Sequence, residues 1–338
     1  MKAPSVAKHQ NGLALISVLF ITALVVAIIT AISHKQTLDI QLTGNLVFRS
    51  QAFQYTKGAE VFASEMLFRD FEQDGAGKVI DGPKDYWITY GAALPIDDGL
   101  IEVELFDLQG LYNLNNLLDD DGKLEPTQLE YLKRLFAKVE SDKDVTLPQE
   151  ISEAIVDWID EDNNTTGLGS EEGDYLIKAP AYRTANYLMS SVEELMLIEG
   201  MTPARCDELS LHVTTLPEVA TLINVNLAPK EVLLALNEAI SETEIDSLIS
   251  QREEDDGAFE SVSDFLAHQA FAGIDPPLDA NNFTVFTSYF LLKSKVTLGD
   301  RVVQAYSILL RDPENGTTRV LSRNLSKRFE PSKPLLPL

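Results

Sequence analysis

The chain of 338 residues carries 27 Lys and Arg against 53 Asp and Glu, a formal charge of −26, with 45% hydrophobic and 8% aromatic residues. That apolar content excludes a generally disordered chain, and the length suffices for two compact units or for one unit carrying a large insertion. An acidic excess of this size repels phosphate backbones, which excludes nucleic acid as a partner, and it favours divalent cations.

A short basic leader with Lys2 and Lys8 ends at Gly12, and behind it Leu13 to Ile32 forms a run of 20 uncharged residues. As a helix this run would be about 30 Å long, enough to cross the hydrocarbon core of a membrane. A secretory signal peptide is closed by small residues on the far side of a shorter apolar region. Here the expected cut lies on the near side, after Gly12, and leaves Leu13 as the new N-terminus. The lysines of the leader place the rest of the chain across the membrane by the positive-inside rule. Cys206 is the single cysteine, so no intrachain disulfide forms and stability there comes from packing and bound metal.

Beyond the membrane the helix continues, because Ile40, Val47, Val61, Leu67 and Phe71 recur near a helical period until Asp74-Gly75-Ala76-Gly77 stops it. The expected N-terminal helix is 13–73, with 13–32 transmembrane. Strand character follows at Tyr86 to Tyr90 and at Leu100 to Leu108, where Ile101, Val103 and Leu105 alternate with Glu102 and Glu104. From Gly110 to about Asn282 the pattern is helical with polar loops. Strand signals return at Phe283 to Leu298, Arg301 to Leu310 and Thr317 to Leu325, separated by Gly299-Asp300 and Pro313-Glu314-Asn315-Gly316. This order predicts an α+β domain whose antiparallel sheet uses residues 78–108 and 283–330 and is interrupted by an inserted α-helical domain at 109–282.

The insert reads as a duplication. Its first half holds Asn113-Leu114-Asn115, Ile151-Ser152-Glu153, an acidic loop and Ser191-Val192-Glu193-Glu194-Leu195. Its second half holds Asn224-Val225-Asn226, Ile240-Ser241-Glu242, the acidic run Glu253 to Asp256 and Ser261-Val262-Ser263-Asp264-Phe265.

The densest polar constellation is DWIDEDNNTTGLGSEEGDY, residues 157–175. Asp157 and Asp160 share one face of a helical turn, and Asp162 follows at the helix C-terminus, where carboxylates face the negative pole of the helix dipole and one another. A cation offsets that cost, and Glu171 and Asp174 are placed to close its shell. The donors are all oxygen, with neither His nor Cys in the loop, so a hard cation is favoured over zinc, and flexible ligation suits Ca²⁺ better than Mg²⁺. The expected metal residues are Asp157, Asp160, Asp162, Glu171 and Asp174. Asp119-Asp120-Asp121-Gly122 resembles the middle of an EF-hand loop, but the register fails and it reads as a turn before a helix. His212 and His268 stand alone in helical surroundings and read as structural. No GxSxG, HExxH, CxxC or P-loop sequence occurs, so the chain is not expected to be an enzyme.

The leader KHQNG followed by LALISVLF resembles the prepilin leader of type IV pilins and of the pseudopilins of type II secretion. Those proteins usually carry Glu at the fifth mature position, where this chain has Ser17. Within the pseudopilins the large minor pseudopilin family called protein K lacks that Glu, and the resemblance extends through the DWIDxD loop and the Asn-Val-Asn segment. It implies cleavage by prepilin peptidase between Gly12 and Leu13 with methylation of Leu13, and a pilin-like sheet. It also implies an insert of SAM-like or helix-hairpin-helix-like units, to which Asn224 to Leu233 belongs, with structurally bound Ca²⁺. Such units bind DNA elsewhere, but here Gly200 is surrounded by Glu193, Glu194, Glu199, Asp207 and Glu208, so they read as scaffolding.

The implied function is that of a minor pseudopilin at the tip of the type II secretion pseudopilus. It would assemble with minor pseudopilins I and J and other pseudopilins, anchored once in the bacterial inner membrane with its C-terminal domain in the periplasm. Ser17 fits that position, since a subunit without the mature Glu lacks the attraction that draws it beneath a neighbour, yet can begin a filament. Two alternatives stand beside this reading. One is a membrane-anchored periplasmic hydrolase with a structural calcium ion; the other is a tip minor pilin of a type IV pilus.

Overall fold

A proline-free stretch forms a single 64-residue helix, α1 (Asn11–Asp74), in the computed structural model, which describes residues 11–75, 78–89, 91–140, 147–254 and 257–325. Gly12 and Leu13 lie in its first turn, and residues 1–10 of the expected leader fall outside the described part. The chain divides into two units after Tyr55. In the first, the apolar side chains from Leu15 to Ile32 are exposed, and the helix is long and apolar enough to cross a membrane. In the second, the remainder of α1 buries Ala59, Ala63, Leu67 and Phe71, a four-residue spacing that makes one continuous stripe. Gly75, at φ +85°, ends the helix, its amide donating to the Phe71 carbonyl at 3.2 Å.

The sheet has five antiparallel strands in the order β1-β2-β7-β8-β9. β1 (Ala92–Ile96) and β2 (Gly99–Asp107) form a hairpin, and β7 (Tyr289–Leu298), β8 (Arg301–Arg311) and β9 (Thr318–Asn324) a meander. β2 pairs with β7 from Gly99↔Leu298 to Asp107↔Phe290, so partners adjacent in the sheet are separated in sequence by the whole insert. This is the interrupted antiparallel sheet of the α+β expectation. Glu60 on α1 fastens the far side of the sheet: its Oε1 accepts from Ser307 at 2.7 Å, and both its oxygens accept from Arg323 at 2.6 and 2.8 Å.

Two expectations near the start of the sheet need correction. Tyr86 to Tyr90 is not a strand: α2 (Tyr86–Thr89) is a helical turn, with Tyr90 outside the described residues. Neighbouring Trp87 and Ile88 are both buried, which an alternating strand does not allow, and Trp87 meets the Phe290 ring edge-on at 5.0 Å. The strand that does occur there, β1, went unread because it contains Pro95. It lies at the sheet edge, where a missing N–H is tolerated.

Between β2 and β7 the chain forms one helical body around a core that includes Tyr112, Leu132, Ile155, Val225 and Phe265. Two short parallel bridges divide it. β3 (Tyr112–Asn113) pairs with β4 (Val213–Thr214), and β5 (Ile223–Asn224) pairs with β6 (Phe283–Thr284). The first bridge encloses α3 (Pro126–Val139), α4 (Leu147–Ile159), α5 (Glu172–Leu176), a 3₁₀ turn at Val192–Leu197 and α6 (Pro203–Leu209). The second encloses α7 (Lys230–Leu234), α8 (Glu242–Arg252) and α9 (Val262–Leu266).

Each half opens with the same hydrogen bonds. Asn113 Oδ1 accepts from the Asn115 amide at 3.2 Å, and Asn224 Oδ1 accepts from the Asn226 amide at 3.0 Å. Asn115 then clasps the backbone of Met189, and Asn226 that of Phe259, each two residues before a Ser-Val helix start. The duplication read from the sequence is therefore a repeated piece of structure.

Candidate metal centre

α4 buries Ile and Trp side chains on one face and carries Glu153 and Asp157 on the next; Asp160 follows directly after its last residue, its amide still donating to the Val156 carbonyl at 3.0 Å, so that the three acids, spaced four and three apart, line one edge. The loop after α4 folds back beneath this edge because its amides are drawn to these carboxylates. The Leu168 amide donates to Glu153 Oε2 at 2.7 Å, and the Thr166 amide donates to Asp157 Oδ1 at 2.8 Å. The approach is too close for side chains. A Cβ on Gly167, which stands at φ +56°, would come within 2.4 Å of Glu153 Oε2, and one on Gly169 within 2.2 Å of Asp157 Oδ2.

This return brings Glu171 opposite the end of α4. One carboxylate oxygen from each of Asp160, Asp162 and Glu171 lies within 4.8 Å of the other two. Asp162 is exposed and also accepts from the amide and the side chain of Asn164, both at 2.7 Å. Asp160 Oδ1, Glu171 Oε1 and the neighbouring Asp157 Oδ2 are buried and have no hydrogen-bond partner. Orphaned buried acceptors are costly, and three acids in one pocket repel. Burial, reinforced by the charges of Asp162, Glu171 and Asp157, pushes Asp160 up to about 7. Burial also raises Asp157 and Glu171, against the amides that each accepts. Unmet oxygen acceptors in a group that resists ionisation fit a hard cation.

Of the five residues expected at a metal, the fold brings together Asp160, Asp162 and Glu171. Asp157 sits beside them, one oxygen anchoring the loop and the other unmet. Asp174 does a different job: its Oδ2 accepts the Glu171 amide at 3.2 Å, and with Glu171 it forms the capping box that starts α5. Glu153 was missed by sequence reading. Burial would raise it, but the Leu168 amide, Lys133 at 2.9 Å and Gln149 outweigh burial and lower it, so it is an ionised strut under the loop. Its position four residues before Asp157 was the available signal.

The other acidic turn behaves as expected. Asp119 Oδ1 accepts from the amides of Asp121 and Lys123, with Gly122 at φ +73°, before α3 begins. Asp255 and Asp256 of the run in the second half lie outside the described residues. His268 Nδ1 accepts the Ala270 amide at 3.1 Å, a capping contact.

Two models of the family described as type II secretion system (T2SS), protein K, match residues 110–218 and 223–285, which are close to the two bridged halves. The chain is similar to type II secretion system protein K of Pseudomonas aeruginosa, at 33% identity over 95% of this chain and 94% of that protein. It is also similar to the protein of the same name from Aeromonas hydrophila, at 28% identity over 91% and 95%. Its fold is similar to a chain in the crystal structure of the GspK-GspI-GspJ complex from the enterotoxigenic Escherichia coli type 2 secretion system. The TM-score is 0.73 at 23% identity, covering 85% of this chain and 99% of that one.

Proposed function

Because the chain belongs to the type II secretion system protein K family, we propose that this minor pseudopilin sits at the tip of the secretion pseudopilus and begins and caps the filament that drives export across the outer membrane. The observation that carries this reading is the placement of a large helical body between hydrogen-bonded neighbours β2 and β7, behind a long apolar helix. A body of that size suits a filament end, where nothing need pack above it.

Its partners there are minor pseudopilins I and J, a reading supported by the fold shared with the GspK-GspI-GspJ complex. The helix spans the inner membrane once, and the lysines of the leader direct the folded part to the periplasm. Prepilin peptidase cuts between Gly12 and Leu13, and Ser17 at the fifth mature position suits a subunit that starts a filament. Asp160, Asp162 and Glu171, with Asp157 adjacent, hold a structural Ca²⁺ that ties the returning loop to the end of α4; bound there, the ion supplies positive charge to carboxylates that otherwise repel. The family is a structural part of the secretion apparatus, and on this reading the chain itself performs no catalysis.

Co-purification of the full chain with pseudopilins I and J, with and without a calcium chelator, tests the reading. A stable three-protein complex that weakens on chelation supports it. Failure to associate with either partner refutes the tip assignment, and indifference to chelation refutes the structural ion.

A further inference from the structure

A second group of acids, unconnected with the loop of the insert, gathers where α1 meets the sheet. Asp70 stands in the last turns of α1, Asp81 in the segment that follows, and Asp85 directly before α2. One carboxylate oxygen from each lies within 4.8 Å of the other two. Oxygens on opposite sides of a calcium ion stand about 4.8 Å apart, so all three can reach one ion.

Asp81 is wholly buried. Its Oδ2 accepts from the Thr287 amide at 2.6 Å and from Arg311 Nη2, while its Oδ1 has no hydrogen-bond partner. Asp70 Oδ2 accepts from Arg311 Nη1 at 3.3 Å, and Asp85 Oδ2 accepts the Gly82 amide at 2.8 Å. The guanidinium is fixed in turn by the Thr287 carbonyl at 2.7 Å and by the Phe290 ring at 4.9 Å.

Charge decides what this arrangement lacks. Three carboxylates gather about one guanidinium that bonds two of them; with all three ionised the surplus is two negative charges inside the protein, and Asp74 nearby adds another while accepting the Ile80 amide at 3.0 Å. Asp70 and Asp74 also sit at the negative end of the α1 dipole. Burial and mutual repulsion push Asp70 up to about 7 and Asp85 up to about 8. One divalent ion would cancel that surplus, beside a buried Asp81 oxygen that no donor meets.

We propose that Asp70, Asp81 and Asp85 bind a divalent cation of the hard class, calcium being the fitting one, with Arg311 as the positioning residue that sets two of the three carboxylates. The ion ties the end of α1 to the segment leading into the sheet. Donors that are all oxygen and carboxylate-rich argue against zinc and for calcium.

The test uses the full chain in detergent, dialysed against buffered calcium, with ions per chain counted by elemental analysis and melting followed by circular dichroism. Asp85→Asn is the main variant, because it is only half-buried and Asn can still accept the Gly82 amide. Asp70→Asn is the second. Asp160→Asn separates this site from the loop of the insert. The expected result is loss of a single ion per chain in Asp85→Asn and in Asp70→Asn. In the Asp160→Asn background, calcium should still raise the melting temperature, and that rise should vanish when Asp85→Asn is added. The proposal is overturned if Asp85→Asn and Asp70→Asn, folded by their spectra, bind as many ions as the parent. It is equally overturned if calcium leaves Asp160→Asn melting unchanged while lowering the pH from 8 to 6 stabilises it, since protons rather than metal then settle the surplus.

Discussion

Asn226 holds Phe259 from both sides: its Oδ1 accepts the Phe259 amide at 2.8 Å and its Nδ2 donates to the Phe259 carbonyl at 3.0 Å. Asn115 holds Met189 in the same way, at 2.8 and 2.9 Å. Only an amide side chain offers one donor and one acceptor in that geometry, so each clasp satisfies two backbone groups within the buried core. Asn226→Asp keeps the acceptor, loses the donor and buries a charge. It should destabilise the protein by about 2–4 kcal/mol, as measured by urea unfolding, with Asn226→Leu comparable because it orphans both groups of Phe259.

The loop after α4 depends on the absence of a side chain at Gly169. A methyl group there would meet Asp157 Oδ2 at 2.2 Å and the Glu153 backbone at 2.9 Å; the second is main chain, and the first belongs to a short buried carboxylate whose other oxygen is held by the Thr166 amide. Gly169→Ala should lower stability by about 1–3 kcal/mol and weaken calcium affinity, because displacing the loop moves Glu171 from Asp160. Calorimetric titration of the full chain with calcium checks this, and unchanged affinity would show that Glu171 is held independently of the loop.

Asp160→Asn should change sign with calcium. Without metal, the variant removes one of three repelling carboxylates and relieves a group held near 7 by burial and its neighbours, so it should melt higher than the parent. With saturating calcium it should melt lower, because the parent gains binding energy that the variant loses. Two melting curves, each with and without chelator, give the answer. A variant less stable under both conditions would point to a packing role for Asp160.

What the sequence disclosed and what it hid follow from range. The apolar rod, the sheet strands with clean alternation and the Asn-x-Asn repeat are local patterns, and they stand in the structure where periodicity put them. That Asp160, Asp162 and Glu171 lie together was legible because one stretch of twelve residues holds all three. Asp174 looked like their equal, since a capping box and a metal ligand use the same residue type. Asp70, Asp81 and Asp85 were passed over because nothing near them in sequence marks them. The fold gathers them, with Asp70 and Asp81 both held by Arg311, on a strand beyond the insert. The Tyr86 segment was misread because its buried Trp87 and Ile88 mimic a strand by composition, while Pro95 disguised the strand that follows.

His212 provides a pH test away from either acidic group. Its side chain is 13% exposed, and although Glu231 lies 3.7 Å from Nδ1, burial outweighs that charge and lowers its pKa from 6.5. The unfolded chain thus takes up a proton near pH 6.5 that the folded chain refuses. Stability from this group is present above that value and is lost as the pH falls through it. The melting temperature of the parent minus that of His212→Gln should therefore drop between pH 7.5 and 5.5. The difference removes the contribution of carboxylates common to both, and a flat or rising difference would mean that Glu231 holds the histidine protonated.

Ser17 bears on where the subunit enters the filament. A mature N-terminus at Leu13 would carry a positive charge into low-dielectric surroundings, where a carboxylate on a neighbouring helix is strongly attractive. Ser17 offers no such charge, so on the proposed reading this subunit would not be drawn beneath one already in place and would start the fibre instead. Ser17→Glu supplies the missing partner. The variant should appear along the shaft as well as at its end, read by immunogold labelling of overproduced pseudopili, and secretion should fall as tips compete with internal copies. Labelling confined to the ends, with secretion unchanged, would mean that the bulk of the insert alone sets the position and that the residue at 17 does not.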